Sequence, residues 1–158
     1  MHFETKEDID SPIAEIFAAI TDFETFERSA LRRGVEVNRK GNAAEGLETL
    51  AWDVGFQFRG SPRQMALTVA RSQPPNALDL AAKGNGMEGA MSVELLALSP
   101  RRTRMIVRFD LAPKSLAARL LVQSLKLARN KIDRRFRLRV AEFARMTEER
   151  LAQGSQPA

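Results

Sequence analysis

A single histidine, His2, and the absence of cysteine and tyrosine leave this chain few groups for acid–base or nucleophilic chemistry at neutral pH. Without thiols there are no disulfides, no thiolate metal ligands and no cysteine nucleophile. His2 reads as a frayed surface residue, and a histidine-based triad or His-rich metal site would require it to fold back. No metal site and no cofactor is expected. The remaining candidates are carboxylates set within apolar runs. Asp53 lies opposite Trp52 in the alternation and is expected in solvent or against an arginine. Glu94 is likewise out of phase with Met91, Val93 and Leu95. Only a bulge that reversed the facing would bring either inside, raise its pKa and make it a general acid or base. Arg108 and Asp110 share one face of a strand and read as exposed charges paired across strands. No catalytic residue is assigned.

One glycine motif invites a test. Gly84-Asn85-Gly86-Met87-Glu88-Gly89 has the spacing of a dinucleotide-binding loop, which needs a strand before it and a helix after it. The next six residues, Ala90-Met91-Ser92-Val93-Glu94-Leu95, alternate like a strand, so a glycine-rich hairpin is the better reading.

Charge is unevenly spread. Residues 1–27 hold eight acids against Lys6, whereas residues 126–145 hold eight bases against Asp133 and Glu142. Two readings stay open for the basic segment, whose cations run from Lys126 to Arg145. Its arginines could pair with the acidic N-terminal elements, or it could face an anionic membrane surface or an acidic protein. Nucleic acid is disfavoured, because Phe136 and Phe143 fall on the apolar stripe and are not free to stack on bases.

The elements that must position these residues emerge from periodicity. Residues 3–10 form a mostly polar first strand, suited to a sheet edge. Ser11-Pro12 supplies an N-cap and a first-turn proline, and Ile13, Ile16, Phe17 and Ile20 come next at helical spacing. Thr21 and Glu24 have capping-box spacing for a second helix, with Phe23, Phe26, Ala30 and Leu31 as its buried stripe and Gly34 as its stop. Six strands succeed it, of which Trp52, Val54, Phe56 and Phe58 alternating with polar partners give the clearest. Turns at 60–62, 73–76, 84–86 and 99–100 separate them, which favours an antiparallel meander over βαβ units. From 115 to 151 there is neither glycine nor proline. There Leu121, Leu125, Ala128, Ile132, Phe136, Val140 and Phe143 recur at steps of three or four, predicting one long amphipathic helix, bent or frayed because of its length. Residues 1–153 are expected to form one domain and 154–158 a disordered tail.

This order, one strand, two short helices, six strands and a long helix, resembles the helix-grip fold of the START/SRPBCC (Bet v 1-like) superfamily. The start, Ile9-Asp10-Ser11-Pro12-Ile13-Ala14-Glu15-Ile16-Phe17 and then Asp22-Phe23-Glu24-Thr25-Phe26-Glu27, resembles bacterial polyketide cyclase/dehydrase-like members. The resemblance implies an α+β helix-grip fold (β-α-α-β6-α): a curved antiparallel sheet of about seven strands around the C-terminal helix, with a gap for an apolar ligand. Inward-turned faces would line that gap with Trp52, Val54, Phe56, Phe58, Met65, Leu67, Met91, Val93, Met105, Val107, Phe109 and, from the helix, Leu125. The same side chains could instead fill an ordinary core. Binding or carriage of a small apolar or amphipathic molecule is the expected function. A polyketide cyclase/aromatase-type enzyme and an interaction module acting through the basic helix are the alternatives. The acidic N-terminus and the lack of cysteine make the cytoplasm the expected compartment. Oligomeric state and ligand identity are not legible.

Overall fold

Period-2 alternation in the middle of the chain builds a single seven-stranded antiparallel sheet, seen in a computed structural model that describes residues 1–154. The strands are β1 (His2–Ile9), β2 (Glu36–Lys40), β3 (Ala51–Phe58), β4 (Ser61–Gln73), β5 (Ala77–Gly84), β6 (Met87–Ser99) and β7 (Arg102–Pro113), in spatial order β1-β7-β6-β5-β4-β3-β2. The helices are α1 (Ile13–Ile20), α2 (Phe23–Arg32), α3 (Leu116–Lys126) and α4 (Arg129–Gly154). Both edge strands carry charge, Glu4, Lys6 and Asp8 on β1 and Glu36 and Lys40 on β2, which blunts edge-to-edge pairing.

Register fixes which side chains face inward. Trp52 opposes Leu67, Leu80 opposes Met91 and Val93 opposes Val107, so one face of the sheet is apolar across its width. The other face carries the charges. Asp53 pairs with Lys40 at 2.6 Å, and Arg108 lies between Glu4 (3.4 Å) and Glu94 (3.1 Å). Asp110 accepts a contact from His2 Nδ1 at 2.6 Å, so His2 is tied into the first strand and is not frayed. Arg104 donates twice to Asp8 and holds its carboxyl below the usual range.

α4 runs alongside β1 in the same direction. Arg129 donates to the His2 carbonyl at 3.1 Å, and Glu148 accepts the Asp10 N–H at 2.7 Å. A helix of that span rises about 28 Å and the strand about 26 Å, so the two match end to end. Phe3 meets Phe136 between them, and Ile9, Ile16, Leu50, Leu95 and Met105 form the fully buried centre.

Several local expectations are corrected. α1 starts at Ile13 with Pro12 in the cap position and no side-chain cap; the Ser11 hydroxyl is buried and donates to the Asp10 carbonyl. Asp22, not Thr21, caps α2, because its carboxylate accepts from the Thr25 N–H and hydroxyl. Phe26 and Leu31 stay 43% and 57% exposed, so only part of the expected stripe is buried. The long helix is two helices. At Leu127-Ala128 the hydrogen bonds tighten to three-residue steps (Leu127 N–H to Ser124, Ala128 N–H to Leu125), and α4 starts anew from there. α4 ends at Gly154, inside the stretch expected to be a tail, and the rest of that stretch, 155–158, lies outside the described residues. Gly84-Asn85-Gly86 is the hairpin turn between β5 and β6, with no helix after it.

Candidate functional site

The apolar sheet face, α2 and α4 do not close completely on one another. Between them lies a cavity of about 470 Å³, within the usual range of small-molecule sites. Twenty residues line it, eighteen of them apolar. Its floor is the sheet: Trp52 and Val54, Leu67, Leu78 and Leu80, Met91 and Val93, Met105 and Val107. One wall is Ile20 with Phe23, Phe26, Glu27 and Ala30 of α2, continued by Val35 and Val37. The opposite wall is Phe136, Arg139, Val140 and Phe143 of α4. Phe26 and Phe143 stack at 5.7 Å between the two helices, and Phe26 and Arg139 are both lining and exposed, which places the mouth there.

Of the residues the sequence proposes for the lining, Trp52, Val54, Leu67, Met91, Val93, Met105 and Val107 face this cavity. Phe56, Phe58, Met65, Phe109 and Leu125 do not line it. Alternation puts Phe56, Phe58 and Met65 on the face of Trp52, and Phe109 on that of Met91, but toward the opposite end of the sheet. At that end α3 fills the groove, burying Ala118 and Val122 against Met87, with Leu111 and Leu121 beside them.

The two charged lining residues behave differently. Glu27 accepts from Arg39 Nε at 2.8 Å and Nη2 at 2.7 Å, and from the Trp52 indole N–H at 2.8 Å. The Arg39 hydrogen bonds chiefly hold its carboxyl below the usual glutamate range, against the raising effect of partial burial, with the Trp52 bond adding to them. β-Register explains the juxtaposition, since Arg39 and Trp52 are direct partners across β2 and β3. Phe23 and Glu27, one helical turn apart, then meet Trp52 together, Phe23 edge-on at 5.0 Å. Sequence reasoning missed this constellation. Its one local signal is the acid Glu27 standing four residues after Phe23 on an apolar stripe. Arg139 has no carboxylate within 4 Å among the described residues. Asp53 and Glu94 point away from the cavity, and no cluster of His, Asp or Glu among the described residues could hold a metal. What this arrangement can do is exclude water around an apolar body and meet a polar terminus at one point.

No protein-family model and no curated protein matches the sequence. Solved structures do match the fold. The Zhui aromatase/cyclase from Streptomyces sp. R1128 superposes with a TM-score of 0.68 at 11% identity, covering 99% of both chains. A conserved protein from Geobacillus kaustophilus gives 0.58 at 10% identity over 97% of this chain and 96% of that one. A START superfamily protein from Mycobacterium smegmatis gives 0.54 at 13% identity over 85% and 95%. The chain therefore has the START/SRPBCC-type helix-grip fold, with its C-terminal helix broken in two.

Proposed function

We propose that this chain binds or carries a small apolar or amphipathic molecule, lipid-like or polyketide-like, in the cavity between the sheet and α4. The single observation that carries this reading is an unfilled space of about 470 Å³ with eighteen apolar lining residues. Protein interiors are packed as closely as organic crystals, so an apolar recess of this size between sheet and helix suits an apolar ligand body. Because Glu27 is already engaged, Arg139 is the free polar contact, and an amphipathic ligand would lie with its apolar body along Trp52, Leu80 and Met91 and its polar end toward Arg139. The cysteine-free composition supports action in the cytoplasm.

The competing enzyme reading, cyclisation of a polyketide-like chain, has the Streptomyces aromatase/cyclase in its favour. It is weakened by Glu27, whose ionised state is held by Arg39 and Trp52 and so poorly suits a proton donor. A second reading concerns an anionic partner. Of the eight bases in residues 126–145, only Arg137 has a carboxylate within 4 Å among the described residues, its own neighbour Asp133 at 3.0 Å. Five of the eight N-terminal acids, Glu4, Asp8, Asp10, Glu24 and Glu27, pair instead with Arg108, Arg104, Arg102, Arg28 and Arg39. The basic helix is thus left for a partner outside the chain, an anionic surface or an acidic protein.

Trp52 is the only tryptophan and lines the cavity, so its fluorescence reports on occupancy. Titration with palmitate should change that emission saturably, and native mass spectrometry of protein from its own host should show a bound molecule that organic extraction releases. A clean unliganded mass together with unresponsive Trp52 emission would overturn the proposal.

A further inference from the structure

α3 has two apolar faces. One is buried on the sheet through Ala118 and Val122. On the other, Leu116 is 75% exposed, Leu120 64%, and Leu127, in the turn just beyond the helix, 92%. At roughly 100° per residue these three positions fall within about 40° of one another, so they form one ridge aimed away from the protein. A lone surface leucine is ordinary, but folding gives no account of three aligned leucines on a helix whose opposite face already packs. Along this stretch of the chain the charge is of one sign. Between the last strand and the start of α4, Lys114, Arg119, Lys126, Arg129 and Lys131 stand with no acid among them. Among the described residues, only Lys114 of these has a carboxylate within 4 Å, Glu88 at 3.8 Å.

We propose that this ridge docks the protein on an anionic lipid bilayer. The leucines enter the boundary between headgroups and acyl chains while Arg119 and Lys126 meet the lipid phosphates. The proposal rests on the reading of an anionic partner for the basic helix and names that partner. A second copy of the chain suits the ridge less well, because apposing two ridges would set Arg119 and Lys126 against their own copies with no acid between them.

The test is co-sedimentation of the full chain with vesicles of phosphatidylcholine alone, or of phosphatidylcholine and phosphatidylglycerol in equal parts. Wild type should bind the mixed vesicles and leave the neutral ones. The double variant Leu120→Ser/Leu127→Ser, whose fold is verified by its thermal melt, should lose at least about tenfold in partitioning, since two exposed leucines no longer enter the bilayer. Undiminished binding by that variant would overturn the role of α3 while leaving the anionic-partner reading intact. Failure of wild type to bind either the mixed vesicles or immobilised heparin would overturn both. Sedimentation of wild type as a dimer that the double variant dissolves would overturn the bilayer in favour of a copy-to-copy interface.

Discussion

Trp52 is fixed from two sides, its ring by the edge of Phe23 and its N–H by the Glu27 carboxylate. Removing the ring should therefore cost far more than removing the polar bond. Trp52→Ala is expected to lose about 3–5 kcal/mol in urea unfolding, and Trp52→Phe about 1 kcal/mol. Glu27 adds a dependence on pH. Its pKa is lowered in the folded protein, so its contribution is complete above the ordinary value of 4.5 and fades as the pH falls through the lowered one. Glu27→Gln should be less stable than wild type by about 1–2 kcal/mol at neutral pH, with the gap narrowing as the pH drops below 4.5. A gap that stays constant with pH in urea titrations would show that the ionised carboxylate is not what holds Arg39 and Trp52. This trio was not legible in the sequence. Its members stand 12 and 25 residues from Glu27, and only the β2–β3 register brings Arg39 beside Trp52.

Period-2 alternation carries the facing of a strand but not its position along the groove. That is why Trp52, Val54 and Met91 were legible as inward residues, and why Phe56, Phe58 and Met65 were not separable from them: all share a face, and only the placement of α3 decides which end stays open. Length alone foretold a bend in the long helix, but its place at Leu127 was not legible, since neither glycine nor proline marks it. The turn after β5 was legible from Gly84-Asn85-Gly86, and one of its glycines has a second duty. Gly86 has φ +69°, its carbonyl accepts the Lys114 N–H at 2.6 Å, and a Cβ there would collide with the side chain of Ser115. Ser115 in turn caps α3 by accepting the Ala118 N–H at 3.1 Å. Gly86→Ala is therefore expected to cost about 1–3 kcal/mol by combining left-handed strain with displacement of a helix cap, measurable by urea unfolding. An unchanged midpoint would mean that the hairpin and the start of α3 move independently.

Across the molecule, an apolar cavity couples ligand to stability. A ligand at a hundred times its Kd adds about 2.7 kcal/mol, which for a chain of this size raises Tm by roughly 5–10 °C. Leu80→Trp, which places an indole in the cavity, should abolish that shift while leaving the unliganded Tm near or above its wild-type value; a variant that still responds fully to palmitate would locate the ligand elsewhere. Sheet order has a further consequence, one of timing. β1 touches the sheet only through β7, pairing residues 2–9 with residues 103–110. It is synthesised before every other strand of the sheet, yet it has no partner until the last of them emerges from the ribosome, a wait of roughly 5–20 s at ordinary rates of translation. Through that interval β1 has no strand partner and Phe3 lacks Phe136, its ring contact on α4, and closure of the sheet's outer edge is left until β7 appears. For this fold, exposure to misassociation is set by the speed of translation as well as by the stability finally reached.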